Sequence, residues 1–389
     1  MSRWAVILFL GVVHAGVRAN VLSNSSVLVE TVRQESEQQI VDGHRSGRFF
    51  PFYTIGRIAN VPCTSPSGLS GTCLIAGECK DNGGLASGSC STRTNQAVCC
   101  VYTKSCGGST NLNSTYFTNS GYPGPYNGGG TCSFTVTPTS GICQLRIDFR
   151  TLSLVQPTGD GACNTDRLTI TGGSPSVVPL CGENTGQHIY LNFVGSGPIS
   201  IRVATDGGSS FNRLWNMELS QIACASAERA PVGCLQYYTD ESGEISSFNY
   251  GLGANPGLTT VGTRGSRQLA NTNYGICIRP AAARCSVTYS LPPTDRYAFT
   301  VTGDASAIDP ALVGTAGVGM TGAACTTDYI IIPNPTGGGS DRYCGLGIGD
   351  VTSSARPFVV YTVTNGNETP DVANRGFRLL YEQNACAAV

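Results

Sequence analysis

The cysteines constrain this chain more than any other residue type. Its 389 residues carry 18 of them, an even count that an oxidising compartment would close into up to nine disulfides and the cytosol would keep reduced. Their order repeats. Cys106, Cys132, Cys143, Cys163, Cys181 and Cys224 are followed by Cys234, Cys277, Cys285, Cys325, Cys344 and Cys386. The fourth and fifth stand 18 positions apart in the first set and 19 in the second, and the fifth and sixth 43 and 42. The flanking residues repeat as well: Cys163-Asn-Thr-Asp166 against Cys325-Thr-Thr-Asp328, Cys181-Gly against Cys344-Gly, and Gln221-Ile-Ala-Cys224 against Gln383-Asn-Ala-Cys386. One module is therefore present twice, over 106–224 and 234–386, with a short linker at 225–233. The second copy carries an insertion, Gly303 to Ala324, between its third and fourth cysteines.

The module is built of strands. Leu168 and Ile170 alternate with Arg167, Thr169 and Thr171, and Ile189, Leu191 and Phe193 alternate with His188, Tyr190 and Asn192. A period of two is what a half-buried antiparallel strand requires. Abundant Gly (50) and Pro (20) with only 13 % charged residues suit many short strands and tight turns, so the fold class is all-β. Gly317-Val-Gly-Met-Thr-Gly322 matches the dinucleotide fingerprint in letters, but that motif needs a following helix and a parallel sheet. A loop is expected there.

The N-terminus reads as an export signal. Arg3 precedes the apolar run Trp4 to Val13 and the small residues Ala15, Gly16 and Ala19, too short to span a bilayer and cut after Ala19. No later run approaches the length of a membrane span, and the terminal Asn-Ala-Cys-Ala-Ala-Val lacks a lipid-anchor tail. The mature chain is expected to be secreted, without membrane insertion. Residues 20–62 form a polar linker whose Val27 to Val41 allows a short helix but better suits a flexible tail. Arg45 to Arg48 sits in the same exposed stretch. The whole-chain charge of −1 becomes −3 on loss of Arg3 and Arg18. With Lys80 and Lys104 the only lysines and no basic run, nucleic acid and anionic membrane are excluded as partners.

Residues 63–101 hold Cys63, Cys73, Cys79, Cys90, Cys99 and Cys100, a span too short for a self-sufficient core and therefore stapled. Zinc is excluded by the absence of histidine and of a Cys-x-x-Cys pair in this span. The order Cys63…Gly-Thr-Cys73…Cys79…Cys90…Val-Cys-Cys100 resembles the clip domains of arthropod secreted proteins, with a shorter gap from Cys79 to Cys90 than most of them show. That resemblance implies the pairs Cys63–Cys99, Cys73–Cys90 and Cys79–Cys100.

The first large module resembles a CUB domain, an antiparallel β-sandwich of extracellular proteins. Cys106-Gly-Gly, Gly121-Tyr-Pro, Cys132, Cys163-Asn-Thr-Asp166 and Cys181-Gly carry the resemblance, and Leu180 to Tyr190 looks most like its arthropod branch. The second module resembles a diverged CUB domain. The resemblance implies bridges Cys106–Cys132 and Cys163–Cys181, and by repetition Cys234–Cys277 and Cys325–Cys344. Each module has two cysteines beyond these. Cys143 opens a predicted strand and Cys224 follows the last one, so Cys143–Cys224 and Cys285–Cys386 are predicted to fasten the final strand.

No catalytic residue is expected. Of three histidines, His14 falls in the signal, His44 in the linker and His188 on a strand, so neither a nucleophile–base pair nor a catalytic zinc set can be assembled. His188 is expected to be a surface or hydrogen-bonding residue of its strand. No cofactor is expected either, calcium being the one candidate. Many CUB domains hold calcium through a Glu, two Asp and loop carbonyls, and the cluster then receives a partner's Lys or Arg. Asp166 and Asp206 match in the first module, but Leu154–Val155 stand where the Glu belongs, and hard cations need several oxygens. In the second, Asp328 and Asp371 match and Asp304 substitutes for the Glu. Alternatively, Asp166 and Asp328 cap turns. Sequons at Asn24, Asn113 and Asn367 are glycan candidates. The expected role is non-enzymatic binding of an extracellular protein or glycan through sandwich loops. A non-catalytic regulator of an extracellular protease cascade, or a component of matrix, cuticle or egg covering, are the alternatives.

Overall fold

The computed structural model describes residues 61–90, 97–250, 267–303, 308–366, 368 and 374–386, with the backbone of 29–30 and 57–58. The expected export signal, His14, His44, Asn24, Asn367, Asp304 and Asp371 lie outside the described residues. Val29–Glu30 pairs antiparallel with Arg57–Ile58, Val29 opposite Ile58. That short ladder lies in the stretch for which the sequence predicts a polar tail or short helix.

Each module is a two-sheet sandwich. In the first, one layer runs Gly173–Ser174, His188–Phe193, Ile142–Ser153, Leu214–Ala223 and Thr115–Thr118, and the other Arg167–Thr171, Ile199–Ala204, Thr131–Val136 and Gly108–Thr110. Leu168, Ile170, Leu145, Ile147, Ile201 and Val203 point between the layers and are buried, as the period of two dictates. Trp215 is fully buried there, its ring 6.3 Å from Phe117 and 5.8 Å from Tyr126. The second module pairs a six-stranded sheet containing Asn273–Ile278 and Phe358–Val363 with a five-stranded one built on Arg284–Ser290 and Gly376–Ala385.

Not every pairing is antiparallel. Gly108–Thr110 runs parallel to Thr131–Val136, and Cys234–Tyr238 parallel to Asn273–Ile278. Both pairs are joined by connections long enough for a parallel crossover, which a two-residue hairpin could not make. The N-terminal knot is also not a separate layer. Its strand Ala97–Lys104 lies beside Thr115–Thr118, extending the first sandwich's sheet through Ser70–Ile75 to Pro62–Thr64. The Gly317–Gly322 stretch, expected to be a loop, contains the strand Gly319–Thr321, which pairs antiparallel with Arg342–Gly345 between two 3-10 turns.

All 18 cysteines are bridged: Cys63–Cys99, Cys73–Cys90, Cys79–Cys100, Cys106–Cys132, Cys143–Cys224, Cys163–Cys181, Cys234–Cys277, Cys285–Cys386 and Cys325–Cys344. Cys143–Cys224 spans 81 residues. Replacing both by serine is expected to lower the unfolding free energy by about 4 kcal/mol through the freed loop entropy. Urea titration with the other eight bridges closed measures it, and an unchanged midpoint would show that the last strand needs no fastening.

Candidate functional site

At one loop end of the first sandwich, Asp166 and Arg213 meet with both side chains fully excluded from solvent. Asp166 stands just before the strand Arg167–Thr171, and Arg213 just before Leu214–Ala223. Arg213 Nε donates to Asp166 Oδ2 at 2.8 Å and Nη2 to Oδ1 at 3.1 Å. The same carboxylate accepts the N–H groups of Val155 and Asp206, each at 3.0 Å. The remaining guanidinium hydrogens go to the carbonyls of Asn127, Ser209, Phe211 and Asp206 at 2.7–3.1 Å and to the Ser209 hydroxyl at 2.5 Å. Every strong acceptor position of Asp166 is thus committed.

These residues do not fit calcium. Asp206 comes to the cluster through its backbone; its carboxylate Oδ2 instead accepts the N–H of Gly208 in its own exposed turn. Leu154, where the resemblance implies a Glu, is fully buried apolar core. One carboxylate balances one guanidinium, whereas a hard dication needs 6–8 converging oxygens with more negative charge. The turn-capping alternative for Asp166 describes half of what is seen. Sequence reading missed Arg213, although Arg213 and Arg375 stand at the same distance before Cys224 and Cys386.

In the second sandwich the corresponding residues part. Arg375 reaches Asp295 at 3.2 Å and lies 4.8 Å over the Tyr250 ring. Tyr250 donates to Asp295 at 2.6 Å, and burial pushes the Tyr250 hydroxyl up, well above the usual phenol range. Asp328 is buried and accepts the N–H of Asn365 at 2.6 Å. Asp304 and Asp371, the other two candidates, lie outside the described residues. Among the described residues the grouping of possible metal donors is Cys63, Cys73 and Cys90, whose sulfurs are in bridges.

Hydrogen bonds tie the two sandwiches and the linker 225–233 together. Gln144 grips it from the first, its Oε1 accepting the N–H of Ala230 at 2.9 Å and its Nε2 donating to the Ala230 carbonyl at 3.1 Å. Gln187 donates to Ser246 Oγ at 3.0 Å and to the Ser247 carbonyl at 2.8 Å. The amide of Asn249, fully buried at φ 61°, accepts the N–H of Glu183 at 2.8 Å and donates to Gln156 Oε1 at 2.9 Å and the Arg267 carbonyl at 2.7 Å. Ala270 N–H closes the seam on the Gly161 carbonyl at 3.0 Å.

His188 belongs to this seam. It is buried rather than surface-facing because the outer face of His188–Phe193 is covered by the second sandwich. That is why the strand departs from the half-buried pattern expected of it. Its Nε2 accepts the N–H of Tyr237 at 3.0 Å, and its ring packs on Tyr190 and Tyr238. Burial first, and the positive charge of Arg146 second, lower its pKa from 6.5 to about 3. The folded value lies below the unfolded one, so between these pH values the unfolded chain binds the extra proton. Stability is therefore expected to fall as pH drops from about 6.5 toward 3, by up to about 1.4 kcal/mol per unit. The difference in slope between wild type and His188→Gln, from urea titrations across this window, isolates the effect from the carboxylates. Equal slopes would refute it.

Beside the seam, a cleft of about 630 Å³ opens over Arg146, Asp148, Arg150, Tyr190, Glu218 and Glu228. Its charges are largely matched, Arg146 with Asp148 at 2.6 Å and Arg150 with Glu218 at 2.5 Å.

Residues 106–212 match the CUB domain family model and residues 231–384 that of the animal CUB domain. Among solved structures, the CUB1-EGF-CUB2 domains of rat MASP-1 are 13 % identical over 72 % of this chain and 100 % of that one, with a TM-score of 0.25. The MASP-1 CUB2 domain bound to Ca²⁺ is 24 % identical over 30 % and 98 %, with a TM-score of 0.26. The full extracellular region of zebrafish Gpr126/Adgrg6 is 12 % identical over 74 % and 37 %, with a TM-score of 0.25. No curated protein matches the chain. With two family matches falling on two sandwiches that share one cysteine order, this chain contains two CUB domains, modules that generally mediate extracellular protein interactions.

Proposed function

We propose that this is a secreted, non-enzymatic adaptor that binds an extracellular protein or glycan through the loop ends of two rigidly docked CUB domains. The seam carries this reading. Hydrogen bonds from Gln144, Gln187, Asn249 and Ala270 hold the two sets of loops in one arrangement, so that two modest contacts reinforce each other without a linker's entropy. His188 supports the non-catalytic part, since its Nε2 is occupied under the second domain and cannot serve as a general base. Asn113, exposed beside Thr115–Thr118 with its Oδ1 on the N–H of Gln221, is the described sequon best placed to carry a glycan.

The clip resemblance supports a second reading, a non-catalytic regulator of an extracellular protease cascade. The knot's pairs are those that the resemblance implies. Affinity capture from extracellular fluid, with the full glycosylated chain as bait, separates these. A partner retained by the full chain and lost on shielding the CUB loops supports the adaptor, and capture of a protease through residues 63–101 supports the regulator. Hydrolysis of peptide or ester substrates by the purified chain would overturn both.

A further inference from the structure

The oxygen cage around Arg213 is a cation site with no free cation needed. Seven oxygens surround the guanidinium: two from Asp166, four backbone carbonyls and one hydroxyl. The backbone is shaped to it. Gly128 has φ +96°, and a Cβ there would meet Nη1 and the central carbon of Arg213, so only glycine lets the chain close over the fork. The charge count is that of a monovalent ion, one buried carboxylate and dipoles otherwise. The acceptors are spread around three nitrogens rather than converging on a point.

The cage also anchors the strap that reaches the second domain. Asp166 Oδ2 holds the N–H of Val155. The next residue, Gln156, takes the amide of Asn249, and the strap continues to Asp160 and Gly161, whose carbonyls accept the N–H groups of Glu368 and Ala270. A loosened cage would release both.

We propose that Arg213 is a built-in cation that replaces a bound metal ion in the first CUB domain, and that its removal leaves a site selective for a planar monovalent guanidinium over a divalent metal. The loop end, and the docking that depends on it, are thereby independent of calcium. This goes beyond the adaptor reading and does not depend on any partner.

The test uses the full chain with Arg213→Ala, and with Arg213→Ala combined with Asp166→Asn, melted in 10 mM methylguanidinium chloride, 10 mM sodium chloride or 5 mM calcium chloride. Truncation is expected to lower the melting temperature by about 10 °C. Methylguanidinium is expected to return about 4 °C of this in Arg213→Ala only, and to leave wild type and the double variant unmoved. Calcium is expected to shift Arg213→Ala no more than it shifts wild type, a comparison that cancels any response of the second domain. Equal methylguanidinium responses in all three proteins, or a calcium response peculiar to Arg213→Ala, would overturn the proposal. If Arg213→Ala does not accumulate, its folded yield from cultures with and without methylguanidinium is the readout, and no gain in yield counts against it.

Discussion

Asp166→Ala is expected to destabilise the first CUB domain by about 3–5 kcal/mol, because it leaves the buried guanidinium of Arg213 without its counter-charge. The Val155 and Asp206 N–H groups lose their acceptor in the same step, so the loss reaches both the strap toward the second domain and the loop before Arg213. Replacing the pair together, Asp166→Ala with Arg213→Met, removes the stranded charge. The double variant should therefore be more stable than the sum of its single changes by more than about 1 kcal/mol. Equilibrium urea unfolding of the four proteins gives the coupling. A single Asp166→Ala within 1 kcal/mol of wild type would mean that the pair is not shielded from water as the geometry requires.

Gly182→Ala is expected to separate the two domains' unfolding. Gly182 has φ +75°, and a Cβ there would overlap the side-chain amide of Asn249. That amide makes two of the seam's hydrogen bonds, to Glu183 and Gln156, and a third to the Arg267 carbonyl of its own domain. Backbone strain and these losses sum to about 3 kcal/mol. Calorimetry should show one transition in wild type and two in the variant. Asn249 itself sits at φ 61°, so Asn249→Gly is tolerated by the backbone and removes the clash. Gly182→Ala with Asn249→Gly is therefore expected to melt above Gly182→Ala alone. If Gly182→Ala keeps a single transition at the wild-type temperature, the seam is not what couples the domains.

The strand content was legible from alternation, because a sheet reads its two faces from neighbouring residues. Leu168 and Ile170 face the core and Arg167 and Thr171 face solvent, as their spacing requires. The same rule failed at His188–Phe193, where both faces are buried. Its second face is covered by residues about fifty positions away, Tyr237 and Tyr238, whose approach leaves no periodic trace. The buried pair of the first domain was illegible for a related reason. Asp166 was visible beside its cysteine, but the group that neutralises it lies 47 residues on, and neither residue's neighbours announce the other.

Repetition and chemistry of the cysteines, with the period of the apolar residues, determined by themselves that this chain makes the same β module twice, since both are local or covalent properties. Only the tertiary structure decided that the two copies are locked together and that an arginine fills the loop end of the first. Those facts depend on which distant side chains share a water-free space, and the energy of a buried charge or amide is set by that company.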